Sequence, residues 1–300
     1  KKIFIVEAPT GYGKSTISAA ISLFSLKNDK LLKCIIAFPL RSLLEDQYYK
    51  FVKGEKSAED KKPQGILGEL NENLVLHIIG KRYMHNPDSR YLIKPITLTT
   101  VDTLSLTLFG IPPECIDSVF KTWDGTIGGS LGHYLFSWSS IVFSNLVLDE
   151  VHLLADSTKS LSFLAALMKI ALDFNQKLVL MSATIPEALK SIFEREIPVD
   201  KIEFIEFKLE KDANFCQERM GKNYEVVLRE IKKTTGEEEG EKEKFIKIKE
   251  WIKENDRFSR VIVVFNTVKE AMDFYNRIDD ELRNLFDNII PVSYTHLTLP

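Results

Sequence analysis

Four apolar residues, Ile3-Phe4-Ile5-Val6, run straight into Glu7-Ala8-Pro9-Thr10-Gly11-Tyr12-Gly13-Lys14-Ser15-Thr16, and a helical pattern follows at once. No other stretch restricts the fold as much. A strand does not continue through a proline and two closely spaced glycines. The helix-period residues behind them leave no room for a long loop. The chain is forced through strand, tight turn and helix, with a lysine and hydroxyl residues at the turn.

The rest of the first two thirds repeats that grammar. "KIFIVEA" (2–8), "KCIIAFP" (33–39), "SNLVLDEVHLL" (144–154) and "KLVLMSATIP" (177–186) read as strands, and "PITLTTVDTL" (95–104) as a strand followed by a turn. "KSTISAAISLFSLK" (14–27) reads as a helix with Ile17, Ala20, Ile21 and Phe24 on one face, and "RSLLEDQYYKF" (41–51) as a second helix. Strands that are apolar on both faces and alternate with helices predict an α/β fold, a parallel sheet with helices on both faces.

The turn at 8–16 has the order of a phosphate-binding loop. Glycines let backbone N–H groups curl around phosphate oxygens with no Cβ in the way. Thr10, Gly11, Tyr12, Gly13, Lys14, Ser15 and Thr16 are therefore the expected ATP-binding residues. Lys14 brings a point charge to the β- and γ-phosphates, Ser15 brings a hydroxyl ligand for Mg²⁺, and the helix start aims its positive end at the same anion. Ala8 stands where the generic pattern has glycine. The alternative is a glycine-rich strand–helix turn carrying a surface lysine.

Hydrolysis needs carboxylates as well. "LVLDEVH" carries Asp149 and Glu150 to the C-terminal end of an apolar strand, where ligands bind in parallel sheets. Asp149 is expected to hold Mg²⁺ and Glu150 to orient and deprotonate water; Lys14, Asp149 and Glu150 form the expected catalytic set. Two solvated acids at a helix start are the alternative. By its chemistry alone, His152 reads as a packed or hydrogen-bonding histidine.

A net charge of −3 advertises no global basic field, so any nucleic-acid site must be a local groove. Cys34, Cys115 and Cys216 are far apart with no C-x-x-C pair. That argues against a disulfide framework or zinc site and for a reducing, cytoplasmic setting. No apolar run approaches the ~18 residues of a membrane span. "KKTTGEEEGEKEK" (232–244) reads as a solvated linker. Beyond it come a helix (244–255, with Phe245, Ile248, Trp251 and Ile252 inward), a strand "RVIVVFNT" (260–267), a helix (268–282) and a strand "NIIPVSY" (288–294), the start of a second βαβ unit.

Together, three motifs resemble those of superfamily 2 helicases. Residues 8–15 resemble motif I, which begins with alanine and so accounts for Ala8. Asp149-Glu150-Val151-His152 resembles a DExH motif II, and Ser182-Ala183-Thr184 resembles motif III. More finely, "EAPTGYGKS", "AFPLRSLLEDQY", "LTTVDTL", "LVLDEVHLL", "LMSATIP" and "VVFNTVKEAMDFY" are similar to the helicase core of the CRISPR-associated type I interference helicase-nuclease. The resemblance covers most of residues 1–294.

It implies a RecA-like ATP-binding domain (1–205), a charged connector (206–243) and the start of a second RecA-like domain (244–300). It also implies coupling roles for His152, Ser182, Ala183 and Thr184. Single-stranded DNA would run past Pro39, Arg41, Ser42, Thr100 and Thr103. From the residues alone, Arg41 also reads as a surface arginine and the threonines as ordinary strand-end residues. The implied activity is an ATP-driven DNA translocase or helicase, with ATP and Mg²⁺ as cofactors and an RNA-guided CRISPR surveillance complex as partner. No His-Asp pair is present, so the family's HD nuclease domain is expected upstream or on a separate chain. The family's motifs V and VI are missing, and "THLTLP" replaces its usual run after "PVSY"; both fit a chain truncated at its ends. Another superfamily 2 DNA or RNA motor, or a non-catalytic nucleic-acid-binding fragment, fits the same motifs.

Overall fold

Alternation along the strands builds two cores at once. The computed structural model describes residues 2–28, 33–52, 72–84, 86, 88–111, 116–126, 134–208, 210–220, 237–255, 261–286 and 289. Its strands are β1 (Ile3–Glu7), β2 (Lys33–Phe38), β3 (Ile79–Arg82), β4 (Ile96–Thr100), β5 (Ser144–Leu148), β6 (Leu178–Ser182) and β7 (Ile202–Glu206). All pair in parallel, in the order β3-β4-β2-β5-β6-β1-β7. Successive side chains leave opposite faces of a strand. Ile3, Ile5, Ile35, Ala37, Leu146, Leu148, Leu178 and Leu180 enter one core, and Val6, Cys34, Ile36, Phe38, Val147, Val179 and Met181 the other.

Helices cover both faces. Helices α1 (Lys14–Asn28), α2 (Arg41–Val52) and α3 (Glu72–Ile78) supply Ala19, Leu44, Phe51 and Val75 to the second core. On the first face lie α4 (Val101–Leu108), α6 (Tyr134–Val142), α7 (Thr158–Asp173) and α8 (Glu187–Glu196), with α5 (Ile116–Trp123) between α4 and α6 in the chain. They contribute Leu104, Ile141, Phe163, Leu164, Leu167, Leu189 and Phe193. Each such fully buried side chain contributes roughly 1.5–3 kcal/mol, so the sheet is held from both sides. The residues expected to turn after β4 instead form α4, because Thr100 caps it: the Thr100 side chain accepts the N–H of Thr103.

Helix α1 departs from expectation in part of its buried face. Ile17 and Ile21 pack against the second core as expected, but Ala20 and Phe24 are exposed, and Ser18, Ala19, Ser22 and Ser25 are buried against the sheet. Small residues let the helix lie close, and the buried hydroxyls are satisfied locally. Ser18 Oγ donates to the Lys14 carbonyl at 3.3 Å and Ser22 Oγ to the Ser18 carbonyl at 2.9 Å.

Because every strand is parallel, the C-terminal ends of β1, β2, β4, β5 and β6 share one edge. Register fixes the neighbours there: Glu7 lies opposite Ser182 on one side and Glu206 on the other, and Phe38 opposite Thr100.

The chain divides into two compact units, Lys1–Arg219 and Met220–Pro300. Helix α9 (Ala213–Met220), inside the expected connector, falls almost wholly in the first. In the second, α10 (Glu237–Glu254) begins within the stretch expected to be a linker, because glutamate and lysine are strong helix formers; 232–236 lie outside the described residues. Helices α11 (Val268–Asn276) and α12 (Asp280–Leu285) replace the single expected helix, since Asp279 caps a new start by accepting the Leu282 N–H. Phe245, Ile252, Phe274 and Leu282 form a small core, with Ile248 and Trp251 packed against it. The expected strand at 260–267 does not form over 261–267. Val261, Val263 and Phe265 pack on that core, while Ile262 and Val264 are 88% and 84% exposed. The alternation is that of a strand, but among the described residues no partner strand supplies the ladder. The expected strand at 288–294 lies almost entirely outside the described residues.

Candidate nucleotide-binding site

The loop between β1 and α1 has the backbone its glycines allow. Gly11 and Gly13 sit at φ 84° and 103°, a region where a side chain is strained. Tyr12 N–H donates to the Pro9 carbonyl, while Thr16 and Ile17 N–H both donate to Gly13, starting α1. Lys14, at the head of the helix, is 8% exposed; its Nζ donates to the Ala8 carbonyl at 3.0 Å and lies 3.8 Å from Glu150 Oε1. Ser15 is half-buried beside it, and Thr10 and Thr16 are exposed.

Glu150 reaches Lys14 because β5 ends abruptly. Asp149 N–H still bonds to the Ala37 carbonyl, but Glu150 adopts a left-handed conformation, φ 50° and ψ 47°. A non-glycine residue there costs about 1–3 kcal/mol. The kink hands the chain to the helical turn Val151–Asp156. Asp149 Oδ1 accepts the Glu150 N–H at 3.0 Å. Burial and then the adjacent Glu150 carboxylate push the Asp149 carboxyl up to about 6. Two acids are thus crowded into a space with one cation, and Glu150 Oε2 is buried without a hydrogen-bond partner.

His152 and Ser182 join at the same edge. His152 Nδ1 lies 2.8 Å from Ser182 Oγ and 3.4 Å from Glu150 Oε2. Ser182 Oγ donates to the Thr184 carbonyl at 2.7 Å and accepts the Thr184 N–H at 3.3 Å. Its only proton is therefore committed, which places the imidazole proton on Nδ1. Ala183 is half-buried and Thr184 exposed.

Other expected site residues are placed differently. The Tyr12 ring packs edge-on against Phe207 and Phe215, at 4.9 and 5.3 Å between centroids, and its hydroxyl donates to Asp212. It anchors the loop by its side chain and offers only backbone to phosphate. Thr100 and Thr103 are 7% and 2% exposed; Thr100 Oγ1 donates to Thr103 Oγ1 at 2.9 Å and accepts its N–H at 3.3 Å. Both lie buried in the cap of α4. Arg41 is exposed at the start of α2 with its guanidinium 4.6 Å from the Tyr83 ring centroid, Ser42 is exposed, and Pro39 is half-buried. Among the described residues no group of three or more acids, histidines or cysteines could hold a metal ion. Sequence reasoning missed Glu7, Lys190, Asp212, Phe207 and Phe215. For Glu7 the signal was a charged residue closing an apolar strand.

Residues 1–85 match the protein-family model of the DEAD/DEAH box helicases. No curated protein matches the chain. Among solved structures, the Mycobacterium smegmatis helicase Lhr bound to single-stranded DNA and AMP-PNP is 15% identical with a TM-score of 0.55, covering 96% of this chain and 33% of its own. S. cerevisiae Dbp5 bound to RNA and ADP BeF3 is 14% identical with a TM-score of 0.52, covering 92% of this chain and 56% of its own. The chain thus spans about a third to just over half of these structures. The fold is the RecA-like parallel sheet with helices on both faces that they share. Among the described residues, no helix is long and apolar enough to cross a membrane.

Proposed function

We propose that this chain is the ATP-hydrolysing core of a nucleic-acid helicase or translocase. The observation that carries the reading is the meeting of Lys14, at the head of a glycine-framed helix start, with Glu150, 3.8 Å away at the end of a parallel strand. The glycine cradle, the buried unbonded Glu150 oxygen and the crowded Asp149 suit Mg–ATP. Mg²⁺ supplies charge neutralisation for phosphoryl transfer when bound. Lys14 and the loop N–H groups hold the β- and γ-phosphates, while Ser15 and Asp149 ligate the cation. Glu150 orients water and takes its proton. His152, with its proton on Nδ1, donates to Ser182 and stands 3.4 Å from Glu150, so the acidic strand end lies beside the loop 183–185, the proposed route by which the site senses nucleic acid. Pro39, Arg41 and Ser42 border the strand path, where Arg41 holds phosphates without reading bases.

In its finer form, the proposal is a single-stranded-DNA motor of CRISPR type I interference, acting in the cytoplasm with an RNA-guided surveillance complex and an HD nuclease domain. The domain division 1–205, 206–243 and 244–300 belongs to the same proposal. Its support is the sequence similarity of the six segments quoted above. The test is ATP hydrolysis by the full chain with no nucleic acid, single-stranded DNA or single-stranded RNA, beside Lys14→Ala. DNA-specific stimulation, lost in Lys14→Ala, is expected. RNA-specific stimulation would replace the DNA reading, and identical nucleotide binding by wild type and Lys14→Ala would overturn the site.

A further inference from the structure

We propose that Glu7 and Lys190 form a positioning clamp that links the phosphate loop to the loop after β6, so that nucleotide occupancy changes the order of residues 183–190. The clamp rests on the nucleotide reading above and adds residues to which that reading gives no role.

Glu7 occupies a junction. It ends β1, directly before Ala8, whose carbonyl holds the Lys14 ammonium. Across the sheet it stands opposite Ser182, the partner of His152. Its two carboxylate oxygens are divided between two tasks. Oε1 accepts the N–H of Ile185 at 3.2 Å, and Oε2 pairs with Lys190 Nζ at 2.7 Å. The Ile185 N–H lies just before α8, whose Pro186 cap provides no side-chain bond. Ile185 itself is buried in the core with Leu189 and Phe193 of that helix.

Lys190 closes the clamp from the other side. Its Nζ also bonds to Glu206 Oε1 at 2.8 Å, at the end of β7 and opposite Glu7 in register. One ammonium therefore spans the ends of β1 and β7 from a helix that follows β6. The Glu206 and Glu7 bonds hold this lysine firmly protonated, and Lys190 keeps the Glu206 carboxyl below its usual range. With two carboxylates on one cation, a small shift of the β1 end changes how Lys190 is shared.

The path is continuous. When Lys14 turns from the Ala8 carbonyl to a phosphate, the residue next to Glu7 loses its ammonium partner. The Glu7 carboxylate, one residue earlier in the chain, bonds the Ile185 N–H on one oxygen and Lys190 of α8 on the other. The end of β1, the loop that follows Ser182-Ala183-Thr184 and the start of α8 thus move together through one side chain.

The test is amide hydrogen exchange of the full chain with and without Mg–AMP-PNP, beside a nucleotide titration. In wild type the analogue is expected to slow exchange across 183–190 by about 5-fold or more, the low end of ordinary site–site coupling. Lys190→Met and Glu7→Gln, the latter keeping an acceptor for the Ile185 N–H, are expected to bind the analogue about as tightly and lose that protection. Lys190→Arg, which keeps the charge, is expected to restore it, an outcome a merely structural lysine does not predict. If wild type binds the analogue and 183–190 does not respond, or if Lys190→Met and Glu7→Gln respond as wild type does, the clamp is overturned and the nucleotide reading stands. If wild type binds no nucleotide, the nucleotide reading falls, and the clamp with it.

Discussion

Two clusters of polar residues sit at the same edge of the sheet and end differently. At the ends of β1, β5 and β6, Lys14, Asp149, Glu150, His152 and Ser182 converge, with a buried carboxylate oxygen left unbonded and Asp149 crowded by its neighbour. At the end of β4, Thr100 and Thr103 satisfy one another and the first turn of α4. Both clusters follow a strand, and both match a motif in sequence. The first retains unmet electrostatic demand, as sites built for a charged ligand do; the second has none, as a helix cap should.

Substitutions measure that contrast. The largest effect belongs to Glu150→Gln, which keeps the shape and removes the base: turnover should fall by roughly 10²–10⁴ while Mg–ATP binding persists, read by titration beside hydrolysis. Loss of binding instead would reassign Glu150 to the cation. Asp149→Asn should lower Mg²⁺-dependent hydrolysis by less than that, yet stabilise the fold. The Asp149 carboxyl is raised to about 6 by burial first. Its charged form is therefore penalised in the folded state, increasingly as pH rises from the unfolded value near 4 through 6. Removing the charge should gain about 1–3 kcal/mol at pH 7.5 and almost nothing at pH 4, read by denaturant melts at both. Equal stabilities at pH 7.5 would show that Asp149 is not crowded.

Thr100→Ala should act in the opposite sense. Losing the cap costs about 1 kcal/mol of stability, with ATP affinity unchanged. A variant of undiminished stability that lost nucleic-acid affinity would break the comparison by making β4 part of the interface. Smallest of all is Arg41→Ala. It should leave hydrolysis without nucleic acid untouched and reduce the salt slope of strand binding by about 1, the signature of one phosphate contact. A uniform slope would leave Arg41 as a partner for Tyr83 alone.

The sheet was readable because its evidence is local. β1, β2, β5 and β6 are continuous apolar runs, and the glycine loop and Asp149-Glu150 sit directly behind two of them. β3 was hidden: "IGKR" has a glycine and two cations in four residues, and it is strand only because β4 pairs with it. In α1 the apolar pattern was right for Ile17 and Ile21, which pack against the core, and wrong for Ala20 and Phe24, since closeness to the sheet favoured serine over phenylalanine. Residues 261–265 show the converse, a legible strand period with no ladder to join among the described residues. Within the site, the residues of the phosphate loop and the acidic strand end were legible, each being chemistry at short spacing. Glu7–Lys190 and Tyr12–Asp212 were not, because they join positions far apart in the chain.

The serine face of α1 has a consequence for how the helix can be placed. Ser18 Oγ lies 3.9 Å from Met181 Sδ, Ser22 Oγ 3.4 Å from Cys34 Sγ, and Asn145 Nδ2 donates to Ser25 Oγ at 2.9 Å. These partners belong to β6, β2 and β5, so the row of hydroxyls keys one helix to three strands. An oily face of leucines tolerates sliding, because one methyl group substitutes for another. A keyed face does not: a shift of one residue would leave Asn145 buried without its acceptor. The axial position of the ammonium at the head of α1 is therefore indexed by small polar pegs along the length of the helix, on the side away from solvent.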